Sequence, residues 1–384
     1  MAEQTEHGLL PRASHDELAR QNFVQSLKIH LATKVSPGNE QVYEQRAKAR
    51  FEHEHRRAPR DRHEVRSVMA AEPYYRMWSA LQRTSQEMMW DSVAVSVERQ
   101  LDDLAARSRS TSGAGGTLTL DPELSLPRYH AAVDIHCQPG GYHTELRPND
   151  VAAGAIYDRA VYIYAMGRMG PFNDDIGRSV ANWLQHESPK FRPAAILDMG
   201  CSVGHSTVPY VENYPAAEVH GIDVAAPMLR YAHGRAEALG RRIHFSQQNA
   251  ERTNFADQSF DLVVSHILLH ETSAQAIRGV IAECRRLLRP GGMMIHAEVP
   301  QFAGLPPYNA FMLDWDTYNN NEPFWSYYHD LDLARLAAEA GFERESVRQI
   351  MVPSAFEQAR ARTGLLQGGD FGGAGAWFLF IARK

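Results

Sequence analysis

The chain reads as an α/β protein: a mostly parallel sheet with helices on both faces, preceded by a mainly helical N-terminal region. Three observations predict this. Apolar strand-like runs alternate with helical stripes from about residue 191 onward, the order that builds parallel sheets. One such run, Ala195-Ile-Leu197, leads through Asp198 into a turn with Gly200 and Gly204, and a helical pattern follows from His205 to Tyr214. The first hundred residues lack strand signals but carry apolar residues at helical spacing.

The strand–turn–helix unit is the most informative segment. A strand that turns sharply through glycines into a helix brings backbone N–H groups and a helix N-terminus against a ligand. The next strand, Glu218 to Asp223, ends in an acid. Asp223 stands about twenty residues past the glycine turn, the spacing at which a carboxylate reaches a ribose hydroxyl pair. A dinucleotide fingerprint needs glycine at its first, third and sixth positions, where this chain has Gly200, Ser202 and His205.

Later elements follow in order. Pro227 to Leu239 reads as a helix. Ala274 to Leu288 is a helix with Ile277, Val280, Ile281, Cys284, Leu287 and Leu288 on one face, stopped by Pro290-Gly-Gly292. Met293 to Val299 is the next strand. Ser346 to Val352 and Ala376 to Arg383 are the last two.

Asp198-x-Gly200-x-Ser202-x-Gly204, Asp223, the Asn249-Ala250-Glu251 loop, Asp257 to Val264 and Leu287-Leu-Arg-Pro-Gly-Gly292 together resemble the motifs of class I S-adenosylmethionine-dependent methyltransferases. Asn249 stands where that family usually has Asp. The resemblance implies a Rossmann-like seven-stranded sheet whose last two strands pair antiparallel. It implies S-adenosylmethionine as cofactor, bound by Asp198, Gly200, Cys201, Ser202, Gly204, Asp223, Val224, Met228, Asn249, Ala250, Glu251 and His266. The family's segment before the first strand covers the cofactor, which makes Tyr142, His143, Tyr157 and Tyr164 candidates for the acceptor pocket. His270 falls where plant-type O-methyltransferases carry a base, with Glu271 in the place of its Asp partner. The aromatic stretch after the fifth strand offers Phe311, Trp315 and Trp325 as pocket walls. The implied activity is methylation of a small molecule, with O-methylation of a hydroxylated acceptor leading. C-methylation of a prenyl, quinone or polyketide-like acceptor, and N- or S-methylation, are the alternatives.

Other patterns compete. Gly200-Cys-Ser-Val-Gly204 also spells the nucleophile elbow of serine hydrolases, with Ser202, Asp261 and His270 in the right chain order. That reading leaves Asp198 and Asp223 unexplained. Leu305-Pro-Pro-Tyr308 opens with Leu and follows the fifth strand, so it reads as a loop bend. His136, Cys137 and His143 fit no standard zinc spacing, so no metal is expected.

In the N-terminal region, Leu18, Phe23, Leu27 and Leu31 form one predicted stripe, and Trp78, Leu81, Met88 and Val95 another. Glu44 to Arg66 is a charge run that reads as a solvated face. Arg107 to Gly116 reads as a flexible linker by composition. The predicted organisation is a helical domain over 1–116 serving as cap or homodimer contact, a linker and lid over 117–150, and the methyltransferase domain over 151–384. The net charge of −6 argues against a nucleic-acid partner. Three cysteines without framework spacing point to a reducing compartment. With no apolar signal core and no membrane span, the expected location is cytoplasmic.

Overall fold

The computed structural model describes residues 4–356 and 375–384. Parts of the first and third expected domains, residues 1–3 and 357–374, lie outside the described residues. Among the described residues eight strands form one sheet: β1 Thr117–Thr119, β2 Ala195–Met199, β3 Glu218–Asp223, β4 His244–Gln247, β5 Phe260–His266, β6 Leu288–Glu298, β7 Arg348–Pro353 and β8 Ala376–Arg383. Their order is β1-β4-β3-β2-β5-β6-β8-β7. The first six in that order are parallel to one another, and β8 is antiparallel to both β6 and β7.

The centre of the sheet is apolar because β2 and β5 are covered on both faces. Ile196, Leu197, Met199, Leu262, Val263 and Val264 are fully buried. The predicted face of helix Ala274–Leu287 is buried against it, and Ser273 caps the helix by accepting from the amide of Ala276. The strand order reverses between β2 and β5. Both strands end at the same edge, where the glycine turn and the loop after His266 face each other across a crevice.

The sheet has one strand more than the seven expected. β1 comes from the segment that reads as linker and lid, and it pairs with β4. The approach to it is anchored as well, since the carboxylate of Glu237 accepts from the amides of Ala114 and Gly116, each at 2.8 Å. A Cβ at Gly116 would lie 2.4 Å from the carbonyl oxygen of Ile243. The glycine there serves a close backbone approach, which composition alone reads as flexibility.

The N-terminal helices bury different faces from those predicted. On His15–His30 the inward side carries Glu17, Gln21, Val24, Gln25 and Lys28, while Leu18 and Phe23 are 42% and 58% exposed. Buried polar groups meet polar partners on the long helix Pro73–Glu98: Gln21 donates to Ser96 at 3.1 Å and Lys28 to Gln86 at 2.9 Å. On that long helix Trp78 is buried as expected, but Leu81 and Val95 are exposed and Met89, Trp90, Val93 and Val97 face inward. They pack with Ala152, Ala155, Ile156 and Ile163 of helix Ala152–Tyr164. A second group, Tyr43, Phe51, Val65, Met69, Tyr75 and Trp78, packs against Phe311 and Trp315. Among the described residues, no helix is long and apolar enough to cross a membrane.

Asp158, at the middle of helix Ala152–Tyr164, joins these parts. Its buried carboxylate contacts His7 Nε2 at 2.9 Å, His205 Nε2 at 2.8 Å and the Tyr231 hydroxyl at 2.9 Å. Gln4 Nε2 donates to it at 3.1 Å, and Arg235 Nε lies 3.4 Å away. Burial opposes its ionisation, but Arg235, His7 and His205 outweigh burial and hold the carboxyl well below the ordinary value. A carboxyl depressed in the folded state stabilises the fold above its unfolded-state pKa of about 4, and that stabilisation is lost as pH falls toward the folded value. Asp158→Asn is therefore expected to destabilise by about 3–5 kcal/mol at neutral pH. Urea midpoints taken from neutral pH to about pH 3 check this: the wild type loses more stability on acidification than the variant.

Candidate active site

The glycine turn after β2 depends on backbone that most residues avoid. Gly200 has φ +69°, Ser202 φ +50° and Gly204 φ +77°. A Cβ at Gly200 would meet Leu268 Cδ1 at 2.6 Å. The turn is tied to the end of β3, where Asp223 accepts from the amide of Ser202 at 3.0 Å and from that of Ala225 at 2.9 Å. Burial pushes the Asp223 carboxyl up to about 6, against the pull of those amides. Asp198 closes β2. It accepts from the Thr207 hydroxyl at 2.6 Å and holds His266 Nδ1 at 3.1 Å, whose Nε2 meets the Tyr210 hydroxyl at 2.9 Å.

Two cavities meet at this turn. A groove of about 800 Å³ runs along the ends of β3 and β4, past Asp223, Val224, Met228, Asn249, Ala250 and Leu268, with Tyr129, Tyr142 and Glu271 on its outer side. A second cavity of about 930 Å³ lies beyond it, walled by Trp90, His136, Tyr164, His270, Trp325 and Trp377. Tyr157, Gly200, Ser202, His266 and Ile267 line both. A ligand in the groove thus reaches the inner cavity at the glycine turn.

A buried acid–base cluster forms one wall of the inner cavity. His270 Nδ1 lies 2.6 Å from Glu298 Oε2, and the other oxygen of Glu298 accepts from the amides of Leu268 and Leu269 at 3.0 and 2.7 Å. His136 Nε2 is 3.1 Å from Glu271 Oε1, and its Nδ1 is 3.0 Å from Glu322 Oε1. Burial alone would push both imidazoles down. The surrounding carboxylates outweigh it, raising His270 to about 8 and His136 well above its ordinary value. The Tyr142 hydroxyl also reaches Glu271, at 3.4 Å. Trp325 sits edge-on to His270, with ring centroids 4.8 Å apart.

His136 enters the cluster through a strained turn. His136 and Cys137 have φ of +52° and +63°, a left-handed pair without glycine, which costs of order 1–3 kcal/mol per residue. The carbonyl of His136 accepts from Trp90 Nε1 at 2.7 Å and Gln86 Nε2 at 3.1 Å. Both donors belong to the N-terminal helix Pro73–Glu98, so that helix holds a site residue in place and also walls the cavity.

The structure brings together most of the candidates named from sequence. Asp198, Cys201 and Tyr164 line the inner cavity. Gly204 supports the turn without lining either cavity, and Glu251 lies behind the groove, its Oε1 accepting from the Tyr129 hydroxyl at 3.1 Å. Three substrate candidates fall elsewhere. Phe311 and Trp315 are buried against N-terminal residues such as Tyr75 and Trp78, because the helix Pro307–Leu313 turns away from the crevice to cover that helical group. Tyr308 stacks on Tyr43 there, 4.9 Å between centroids, so the Pro-Pro-Tyr segment opens a packing helix. His143 lies beside His130, 5.4 Å between ring centroids, and outside both cavities. Gln86, Trp90, His136, Trp377, Glu298 and Glu322 were not legible as site residues. Gln86 and Trp90 share one helix, the other four come from separate places in the chain, and no local pattern links the group.

The hydrolase geometry is absent. Asp261 lies at the opposite end of β5, where it accepts from the amides of Ala194 and Ala195 and pairs with Arg289. The carboxylate on His270 is Glu298, and among the described residues the Ser202 hydroxyl makes no hydrogen bond to a histidine.

Residues 196–292 match the family described as a methyltransferase domain. This part of the chain is a class I S-adenosylmethionine-dependent methyltransferase domain. Over 126 residues the chain is 34% identical to the demethylmenaquinone methyltransferase of Thermus thermophilus, covering 33% of this chain and 54% of that protein. Over 123 residues it is 32% identical to the malonyl-[acyl-carrier protein] O-methyltransferase of Methylococcus capsulatus, covering 31% and 42%. The chain spans about half the length of the curated relatives it matches. The Haemonchus contortus phosphoethanolamine N-methyltransferase 2 in complex with S-adenosyl-L-methionine is 17% identical, with 59% and 57% of the two chains covered and a TM-score of 0.41.

Within the methyltransferase domain, the glycine turn is sensitive to a small change. Gly200→Ala should cost at least about 1–2 kcal/mol, the left-handed penalty of an L-residue, with the contact at Leu268 adding to it. Thermal denaturation is expected to show the loss. Leu268→Ala in the same chain should recover part of it by removing the contact.

Proposed function

We propose that the protein transfers a methyl group from S-adenosylmethionine to an oxygen of a small hydroxylated molecule held in the inner cavity. The observation that carries this reading is the junction of the two cavities at the glycine turn, with buried bases on the far wall. The groove suits a nucleoside: Asp223 stands where a ribose would lie, Asn249 and Ala250 border the base position, and Met228 and Leu268 supply apolar surface. The inner cavity suits an acceptor with flat apolar faces, because Trp90, Tyr157, Tyr164, Trp325 and Trp377 wall it.

The chemistry follows from the layout. An acceptor oxygen forms a bond to the methyl carbon as the sulfonium C–S bond breaks. The electron pair goes to sulfur, and the acceptor's hydroxyl proton passes to the histidine–carboxylate cluster. Carbon, nitrogen and sulfur acceptors need such a cluster less, which is why an oxygen acceptor is favoured. The names of the relatives, one a demethylmenaquinone methyltransferase and others malonyl-[acyl-carrier protein] O-methyltransferases, agree in methyl transfer and differ in acceptor. The N-terminal helices act as the cap of the acceptor cavity, since Gln86 and Trp90 line it. Closing the cavity keeps water from the reacting sulfonium.

Titration calorimetry with S-adenosylhomocysteine tests the cofactor reading. Asp223→Ala should weaken binding by about 1.5–3 kcal/mol, the worth of a hydrogen bond to a charged group. Unchanged affinity would remove Asp223 from the ribose site. The oxygen-acceptor reading is tested at His270. With an acceptor identified by mass spectrometry of co-purified ligand, His270→Ala should lower turnover by about 10²–10⁴-fold and leave homocysteine-product affinity nearly unchanged. Wild-type turnover in that variant would move the reading to carbon, nitrogen or sulfur methylation.

A further inference from the structure

His136 and His270 share an arrangement that proton transfer alone does not require. Each has its Nδ1 against a fully buried carboxylate: His270 against Glu298 at 2.6 Å, His136 against Glu322 at 3.0 Å. Asn320 Nδ2 lies 3.0 Å from Asp316 Oδ1, 3.1 Å from Glu322 Oε1 and 3.0 Å from His136 Nδ1. With its two N–H groups given to the two carboxylates, Nδ1 of His136 is left to donate to Glu322. With Nδ1–H given to its carboxylate, each ring offers Nε2 to an ion that displaces the proton from that nitrogen. A metal-binding histidine is oriented in this way, its other nitrogen fixed by a carboxylate.

The third donor is present too. His136 Nε2, His270 Nε2 and a carboxylate oxygen of Glu271 all lie within 4.8 Å of one another. A second observation is independent of the cluster's make-up. Among the described residues, His270 Nε2 is buried and has no hydrogen-bond partner, and neither has Glu322 Oε2, which faces it at 3.6 Å. That separation exceeds a hydrogen bond. Both side chains are fully buried, and leaving such groups unpaired is costly.

We propose that His136, His270 and Glu271 bind one divalent first-row transition-metal ion, with Glu298 and Glu322 orienting the two imidazoles. Two histidines and one carboxylate, with positions left open toward a cavity and no thiolate, suit Zn²⁺ or Fe²⁺. The ion's role rests on the methyl-transfer reading: at the wall of the inner cavity it holds the acceptor oxygen beside the glycine turn and lowers that oxygen's pKa as a Lewis acid. The ion binding itself does not rest on that reading. Sequence spacing missed the site because His136 and His270 lie far apart in the chain, and the neighbouring Cys137 and His143 are not part of it.

The test uses the full-length protein, stripped by chelator and titrated with Co²⁺ alone. Visible d–d absorption and the metal content after gel filtration are read out. One equivalent per chain with d–d bands is expected. Glu298→Gln keeps acceptors for the amides of Leu268 and Leu269 but removes the charge behind His270. It should weaken Co²⁺ binding about 10–100-fold, and the double variant His136→Ala/His270→Ala should abolish it. S-adenosylhomocysteine titration of each variant shows whether the groove is intact. Absence of Co²⁺ binding in a wild-type protein that binds the homocysteine product overturns the proposal, as does equal Co²⁺ binding by a double variant that binds it. Co²⁺ binding without product binding supports the metal site and sinks the methyltransferase reading instead.

Discussion

The carboxylate of Asp158 receives contacts from three separated stretches of chain: Gln4 and His7 near the start, His205 just past the glycine turn, and Tyr231 and Arg235 on the helix Ala226–Ala238. A buried carboxylate without partners would be strongly unfavourable, so these stretches must assemble around it together. The consequence is geometric. Helix Ala152–Tyr164 carries Asp158 on one side and Tyr157, Val161 and Tyr164 toward the inner cavity. Fixing Asp158 fixes those cavity walls relative to the turn that bears Gly200 and Ser202. The N-terminal segment enters the same node, which makes it part of the architecture of the site.

A second node repeats the principle. The left-handed turn at His136 and Cys137 stores strain, and two side chains of Pro73–Glu98 hold its carbonyl. The helix that contributes Trp90 to the cavity wall thereby also positions an imidazole of the buried cluster. Glu298 acts similarly from the other side: one oxygen caps the turn after β5 and the other holds His270. Both devices use buried polar groups satisfied across long sequence separations, and both converge on one face of one cavity.

Periodic apolar patterns were legible where one face alone packs against the sheet. Ala274–Leu287 is such a helix, and its apolar face was readable residue by residue. His15–His30 is not, because its inward side is polar and its pairing with Gln86, Ser96 and Arg99 replaces apolar burial. Leu18 and Phe23 were misassigned for that reason: periodicity identifies a stripe but not which stripe is covered. Phe311 and Trp315 failed differently. Aromatic residues after the fifth strand suit a pocket wall or a packing face equally, and only the course of Pro307–Leu313 distinguishes the two.

By itself the sequence determined the sheet's central strands, the glycine turn and the acid that follows it. These depend on local rules: strand burial shows as continuous apolar runs, positive φ demands glycine, and the spacing from turn to acid is set by one βαβ unit. The tertiary structure alone decided that the segment at residue 117 adds an edge strand, that N-terminal side chains wall the inner cavity, and that His136, Glu298 and Glu322 join His270 and Glu271. Each of those outcomes depends on groups brought together across long stretches of chain. Side-chain hydrogen bonding and ion pairing act over a few ångströms of space, whatever the separation in sequence, so no local pattern could announce them.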